Sequence, residues 1–167
     1  MSRAFVKEPD EGVPDELPDR PISEHKNYVT PAGLRELQEK AGRLETQRLE
    51  LLARQDEEFA DDELAPVDRD LRYYAARIET AVLVDPAGQS RDAVQFGAAV
   101  TVEQPDGARR TFVIVGEDEA DLTASKISYV SPLAAALLAA RAGDQVTWKR
   151  PAGDLELTIV AIEYPEG

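Results

Sequence analysis

Two heptad stripes separated by a short acidic stretch constrain this chain more than any other feature. Apolar residues fall at Leu34, Leu37, Ala41, Leu44 and Leu51, with Arg48 at the one missing step. They fall again at Leu64, Val67, Leu71, Tyr74, Ile78 and Ala81. Both sets are spaced 3, 4, 3, 4, 3, the repeat that keeps a narrow apolar seam on one side of a helix. Two such helices joined by a short polar segment pack best as an antiparallel hairpin, seam against seam. Thr30-Pro31 supplies the start: the hydroxyl caps free N–H groups, and proline at the first helical position forfeits no hydrogen bond. The reversal is expected near Asp56–Glu63, with Pro66 in the first turn of the second helix, where proline is tolerated. The second arm, about 18 residues at 1.5 Å each, extends roughly 27 Å. A hairpin of that length is marginal alone, so its base needs support.

The rest of the chain offers that support. Pro and Gly at Asp85–Gly88 mark a linker, and strand-like runs follow at Ala98–Gln104, Thr111–Gly116, Lys126–Val130, Gln145–Lys149 and Leu155–Tyr164. Pro105-Asp106-Gly107 and Pro151-Ala152-Gly153-Asp154 are turn chemistry for two β-hairpins. One helix interrupts the strands: Ser131 caps it, Pro132 opens it, Leu133–Arg141 continue it and Gly143 ends it. The expected class is therefore α+β, with a coiled-coil hairpin over 30–84 and a small antiparallel-sheet domain with one helix over 85–167. Residues 1–29 hold seven acids and prolines at 9, 14, 18 and 21, and are expected to form a flexible acidic tail. Within it only Ala4-Phe5-Val6 suggests a piece that docks.

Composition closes off several chemistries. The chain has no Cys, which excludes disulfides, Cys-ligated zinc and thiol catalysis, and His25 is its one His, which excludes His clusters and Ser-His-Asp triads. With 33 acids against 19 Lys and Arg, the net charge of −14 argues against general binding of a polyanion. No apolar run is long enough to span a bilayer. A soluble, cytoplasmic protein is expected, monomeric and without membrane contact.

The hairpin end is the most informative segment. Eight of the fifteen positions from 56 to 70 are acids: Asp56, Glu57, Glu58, Asp61, Asp62, Glu63, Asp68 and Asp70. Such a cluster is either solvated turn decoration or a set of carboxylates delivered by a rigid rod, where oxygen ligands suit Mg²⁺ and the orientation of an attacking water. The EF-hand spacing and its glycine are absent. Phe59, between the acids, either packs back on the seam or meets a partner. The basic residues of the arms, Arg35, Lys40, Arg43, Arg48, Arg54, Arg69, Arg72 and Arg77, alternate with Glu36, Glu39, Glu45, Glu50 and Glu79. They read as a salt-bridged helix surface or as a stripe facing RNA. Of Tyr73 and Tyr74, only Tyr74 fits the seam.

Several stretches together resemble the Gre family of bacterial transcript-cleavage factors. They are Tyr28-Val29-Thr30-Pro31-Ala32-Gly33-Leu34, Asp70–Asp85 and Phe96-Gly97-Ala98, then IVGEDEAD at 114–121, ISYVSPLAAALL at 127–138, and GDQV with PAGDLEL within 143–157. The resemblance covers about residues 28–164. It implies an FKBP-like C-terminal domain that docks on the β′ rim of the RNA polymerase secondary channel, through Glu119, Asp121, Ser131, Pro132 and Leu133. It also implies a hairpin that enters the channel and meets the nascent RNA 3′ end only indirectly, while the polymerase itself hydrolyses the transcript in backtracked complexes. Asp56, Glu58, Asp61, Asp62 and Glu63 are then the candidate tip carboxylates, with Asp61 and Glu63 sharing the polymerase's Mg²⁺. No cofactor of the chain's own is expected.

The sequence departs from the family where function is decided. The family's tip, Gly-Asp followed three residues later by Glu and then Asn-Ala, is absent, and Val130 stands where Asp or Asn is expected. The hairpin is also shorter by about 14 residues, which removes roughly 10 Å of reach. Stimulated cleavage and channel occupancy without cleavage are both compatible with this pattern. A peptidyl-prolyl isomerase is disfavoured, because only Phe96, Phe112, Tyr129, Trp148 and Tyr164 are available to line its pocket and a heptad rod has no place in that chemistry. A coiled-coil adaptor would make the tip acids dispensable.

Overall fold

The computed structural model describes residues 17–54 and 56–165. Helix α1 (Pro31–Ala53) and helix α2 (Ala60–Glu79) form the hairpin. Thr30 caps α1 as its sequence dictates, its hydroxyl accepting from the Gly33 N–H at 3.0 Å. Leu37, Leu51, Ala60 and Val67 are buried along the seam, and Arg48, at the gap in the first stripe, reaches across to Asp68 at 2.7 Å. The second helix begins earlier than expected, at Ala60, so Pro66 lies inside it and Asp61, Asp62 and Glu63 form its first turn. Carboxylates there face the positive end of the helix dipole, which offsets their mutual repulsion.

Strand β1 (Tyr28–Val29), just before α1, pairs in parallel with β2 (Val82–Leu83), just after α2. This small sheet closes the hairpin at its base, and no alternation in the sequence announces it. The other strands are β3 (Ala99–Glu103), β4 (Arg109–Val115), β5 (Lys126–Ser128), β6 (Gln145–Trp148) and β7 (Leu155–Glu163), in the sheet order β5-β4-β3-β7-β6. All pairings are antiparallel except β4 with β5, which is parallel. The sheet is thus mixed rather than wholly antiparallel, because the 116–125 link carries the chain back to the same end of the sheet before β5 begins.

Alternation places Val100, Val102, Phe112, Ile114, Leu157 and Ile159 on one face, where they meet Ile127 of β5 and Leu133 and Leu137 of helix α3 (Pro132–Leu137). Each such side chain contributes about 1.5–3 kcal/mol by leaving water. The two expected turns form: Gly107 and Gly153 adopt φ of +84° and +117°, conformations that favour glycine. Helix α3 is shorter than the expected Leu133–Arg141. After Leu137 the chain extends, Ala139 takes φ +69°, and its N–H donates to the Val94 carbonyl while Val94 donates to Ala140. A long-range backbone pairing outcompetes continuation of an alanine-rich helix.

The expected flexible tail is corrected in part. Residues 1–16, including Ala4-Phe5-Val6, lie outside the described residues, but 17–29 run along α2 and against the sheet domain. Arg20 lies over the Tyr73 ring, 3.9 Å from its centroid, Asp19 pairs with Arg72 at 2.5 Å, and the Asn27 amide donates to the Arg77 carbonyl at 2.7 Å. The prolines exclude helix here, and the side chains supply the ordering contacts instead. No helix is long and apolar enough to cross a membrane among the described residues.

Candidate functional site

Three places hold the residues singled out in the sequence: the hairpin base, the hairpin tip and a groove on the sheet domain. The base is built on the acidic run that follows β4. Gly116 opens it because a Cβ there would stand 2.3 Å from the Tyr28 carbonyl oxygen, so only glycine lets the two segments touch. Asp118 accepts from Arg77 Nε at 2.6 Å and from the Tyr73 hydroxyl. Arg77 is 2% exposed; it also donates through Nη2 to Asn27 Oδ1 at 2.9 Å and lies 3.8 Å from Glu117. Thr30 donates its hydroxyl to the Glu119 carboxylate at 2.7 Å. Burial pushes the Tyr73 hydroxyl up to about 12, and its hydrogen bond to the Asp118 carboxylate acts in the same sense. Tyr129 packs edge to face on both Tyr28 and Phe96 beside this network, and Tyr28 and Phe96 meet at a tilt, with all centroids 5.4–5.9 Å apart.

The base therefore corrects one expected role. Glu119, 7% exposed, is committed to Thr30 inside the molecule and presents nothing to a partner. Leu133 is also buried in the core of the sheet domain, where it forms part of the floor of the groove described below. Asp121 alone of the acidic run is fully exposed, and hydrogen bonds from the Thr123 hydroxyl and N–H hold its carboxyl below the usual range. Ser131 caps α3 by accepting from the Ala134 N–H at 3.2 Å, and Pro132 is exposed beside it.

The tip is the opposite environment. Asp56, Glu57, Glu58, Asp61, Asp62 and Glu63 are all exposed. Arg54 stands 3.4 Å from Glu57 and 3.6 Å from Glu63, and the other four carboxylates have no hydrogen bond or ion pair among the described residues. Phe59 does not pack on the seam: it is 65% exposed and occupies the left-handed region at φ +76°, a strained conformation for a bulky aromatic. No group of three or more ligating side chains close enough to hold an ion occurs among the described residues. The donor chemistry is that of hard-cation ligands.

The groove, about 800 Å³, is lined by the buried Phe112, Ile127 and Leu133, the half-buried Trp148 and the exposed Leu122, Pro132 and Pro151. Asp121 and Ser131 also border it. Arg110, Lys126, Lys149 and Arg150 ring it, with Arg110 over Phe112 at 4.7 Å and Arg150 over Trp148 at 5.3 Å. On a chain of net charge −14, the groove is thus an apolar cleft with a mostly cationic rim, in which Lys126 also stands 3.9 Å from Glu36. Sequence reasoning missed the groove, whose lining comes from β4, β5, α3, β6 and the links before β5 and after β6. It also missed the role of Arg77, which sits one position from the seam residue Ile78. The one available signal was the glycine before three consecutive acids.

The chain is similar in sequence to known proteins over most of its length. Residues 89–164 match the family described as transcription elongation factor, GreA/GreB, C-term. Transcription elongation factor GreB of Neisseria meningitidis serogroup B is 36% identical over 157 residues, spanning 85% of this chain and 96% of the relative. Transcription elongation factor GreA of Oceanobacillus iheyensis is 32% identical over 155 residues, spanning 84% and 98%. The crystal structure of GreA factor homolog 1 of Thermus thermophilus aligns over 83% of this chain and 99% of its own, at 26% identity and a TM-score of 0.40. By sequence likeness over nearly the full length of these relatives, the chain belongs to the GreA/GreB family of transcription elongation factors.

Proposed function

We propose that this chain binds RNA polymerase at the β′ rim of the secondary channel through the groove, and passes its hairpin into the channel. There it promotes the polymerase's own hydrolysis of the 3′ transcript in backtracked complexes. The observation that carries the reading is the set of exposed, unpaired carboxylates of Asp56, Glu58, Asp61 and Asp62 at the free end of a two-helix rod. A carboxylate that the fold leaves unused is available to a ligand, and an acidic rod is drawn toward a bound cation. Mg²⁺ held by the polymerase supplies Lewis-acid chemistry and a water nucleophile. This chain's part is to place oxygens beside it; on this reading the protein is an accessory factor, not an enzyme, with no cofactor of its own, cytoplasmic and monomeric.

A second reading, occupancy of the channel without cleavage, is favoured by Arg54, which engages Glu57 and Glu63 and so withdraws two of the six tip acids. One experiment separates the two. Backtracked elongation complexes with labelled RNA are incubated with the protein in Mg²⁺. Release of short 3′ fragments above polymerase alone, lost in a combined Asp61→Ala, Asp62→Ala, Glu63→Ala variant, supports cleavage. Binding without release, shown by competition with a known channel factor, supports the second reading. Neither binding nor release sinks both.

A further inference from the structure

Residues 17–26 cross from the hairpin to the sheet domain and hold each with side chains. On the hairpin, Asp19 Oδ1 accepts from Arg72 Nε at 2.5 Å, the Leu17 carbonyl accepts from Arg72 Nη2 at 3.2 Å, and Arg20 stacks over Tyr73 while standing 3.5 Å from Asp70. On the sheet domain, Ser23 Oγ donates to Glu117 Oε1 at 3.0 Å, and the Lys26 carbonyl accepts the Tyr129 hydroxyl. Ser23 is the one hydrogen-bond donor to Glu117 among the described residues. The other Glu117 oxygen is buried without a hydrogen bond, with Arg77 at 3.8 Å.

We propose that residues 17–26 are a strap that holds the hairpin at one fixed angle to the sheet domain, with Arg20 and Ser23 as its positioning residues. The Asp19–Arg72 pair is exposed and contributes little. The Arg20 stack is sheltered on one side by the aromatic ring, and the Ser23 bond ends on a charged acceptor, so these two carry the attachment. Position matters because the hairpin is a lever. Over the length of α1, 23 residues or roughly 35 Å, a swing of about 10° at the base moves the tip by about 6 Å. The strap thus adds to the direct bonds of Arg77, Tyr73 and Thr30 with Asp118 and Glu119 in setting where the tip stands relative to the groove, a property of this molecule that needs no polymerase to be observed.

The absence of cysteine makes the test direct. Leu49→Cys on α1 and Lys149→Cys at the groove rim, both exposed, take nitroxide labels in the full-length chain, and the distance between them is read by pulsed electron resonance. The parent is expected to give one narrow distribution. Arg20→Ala and Ser23→Glu, the latter setting a carboxylate against Glu117, are each expected to broaden it about twofold or shift it, whereas Ser23→Thr keeps it narrow. Far-UV circular dichroism of each variant verifies the fold, and if Ser23→Glu unfolds the chain, Arg20→Ala decides. A broad parent distribution, narrow distributions in the two disruptive variants, or equal broadening by the exposed control His25→Ala would overturn the proposal.

Discussion

Acidic clusters lie at both ends of the hairpin, one on the sheet domain and one at the tip, and they have opposite fates. At the base, Glu117, Asp118 and Glu119 are drawn inward and find Ser23, Arg77, Tyr73 and Thr30. At the tip, six acids of the same types stay in solvent, and four of them find no partner among the described residues. Sequence density of carboxylates is nearly equal in the two places. What separates them is the supply of donors that the fold brings up. The lesson is that an acidic run is assigned to structure or to function by counting its buried partners, not its charges.

The comparison is most easily broken at Arg77. Arg77→Met removes a buried guanidinium and strands Asp118, Glu117 and the Asn27 carbonyl oxygen, at an expected cost of about 3–5 kcal/mol in urea unfolding. A cost below 1 kcal/mol would mean that the base acids are no more structural than those at the tip. Next is Thr30→Val, which both uncaps α1 and leaves the Glu119 carboxylate without its donor. About 2–3 kcal/mol is expected by the same measurement.

Changes at the tip should be smaller, and one should have the opposite sign. Phe59→Gly relieves a left-handed backbone while removing an exposed ring, so it is expected to stabilise the fold by up to about 1 kcal/mol. Destabilisation there would reveal a packing role that the exposed ring does not display. The combined Asp61→Ala, Asp62→Ala, Glu63→Ala variant should shift stability by no more than about 1 kcal/mol, because lost repulsion opposes lost interaction with the helix dipole. Its midpoint in thermal unfolding reads this directly.

A further effect is one of pH. The Tyr73 hydroxyl is raised from the usual value of 10 to about 12 by burial and by Asp118. The folded state therefore holds this proton more tightly than the unfolded state. Its contribution is complete below pH 10 and is lost as pH rises toward about 12. In urea midpoints taken across that window, Tyr73→Phe should show a shallower alkaline decline than the parent. An unchanged decline would detach Tyr73 from the base network.

How much of this was legible beforehand depends on the range of the determining contacts. The seam from Leu34 to Ile78 and the turns at Gly107 and Gly153 follow from local periodicity and backbone freedom, and they formed as read. The strap did not, because Asp19, Arg20 and Ser23 sit among prolines and acids, and the partners that order them lie 50 or more residues away. The early end of α3 was hidden for the same reason, since Val94 is what turns the chain at Ala139. Of the site residues, the tip acids, Asp121 and Pro132 are exposed and Leu133 lies in the groove, whereas Glu119 is turned inward onto Thr30, because a motif match names a position without saying which way it faces.

The strap has one further consequence. Leu17 meets α2 at Arg72, and from there to Ala60 the helix runs twelve residues, roughly 18 Å. A partner that closes around the rod at the level of Arg72 therefore meets three thicknesses of chain, the two helices and residues 17–20, and has to be wider there than a two-helix rod alone requires.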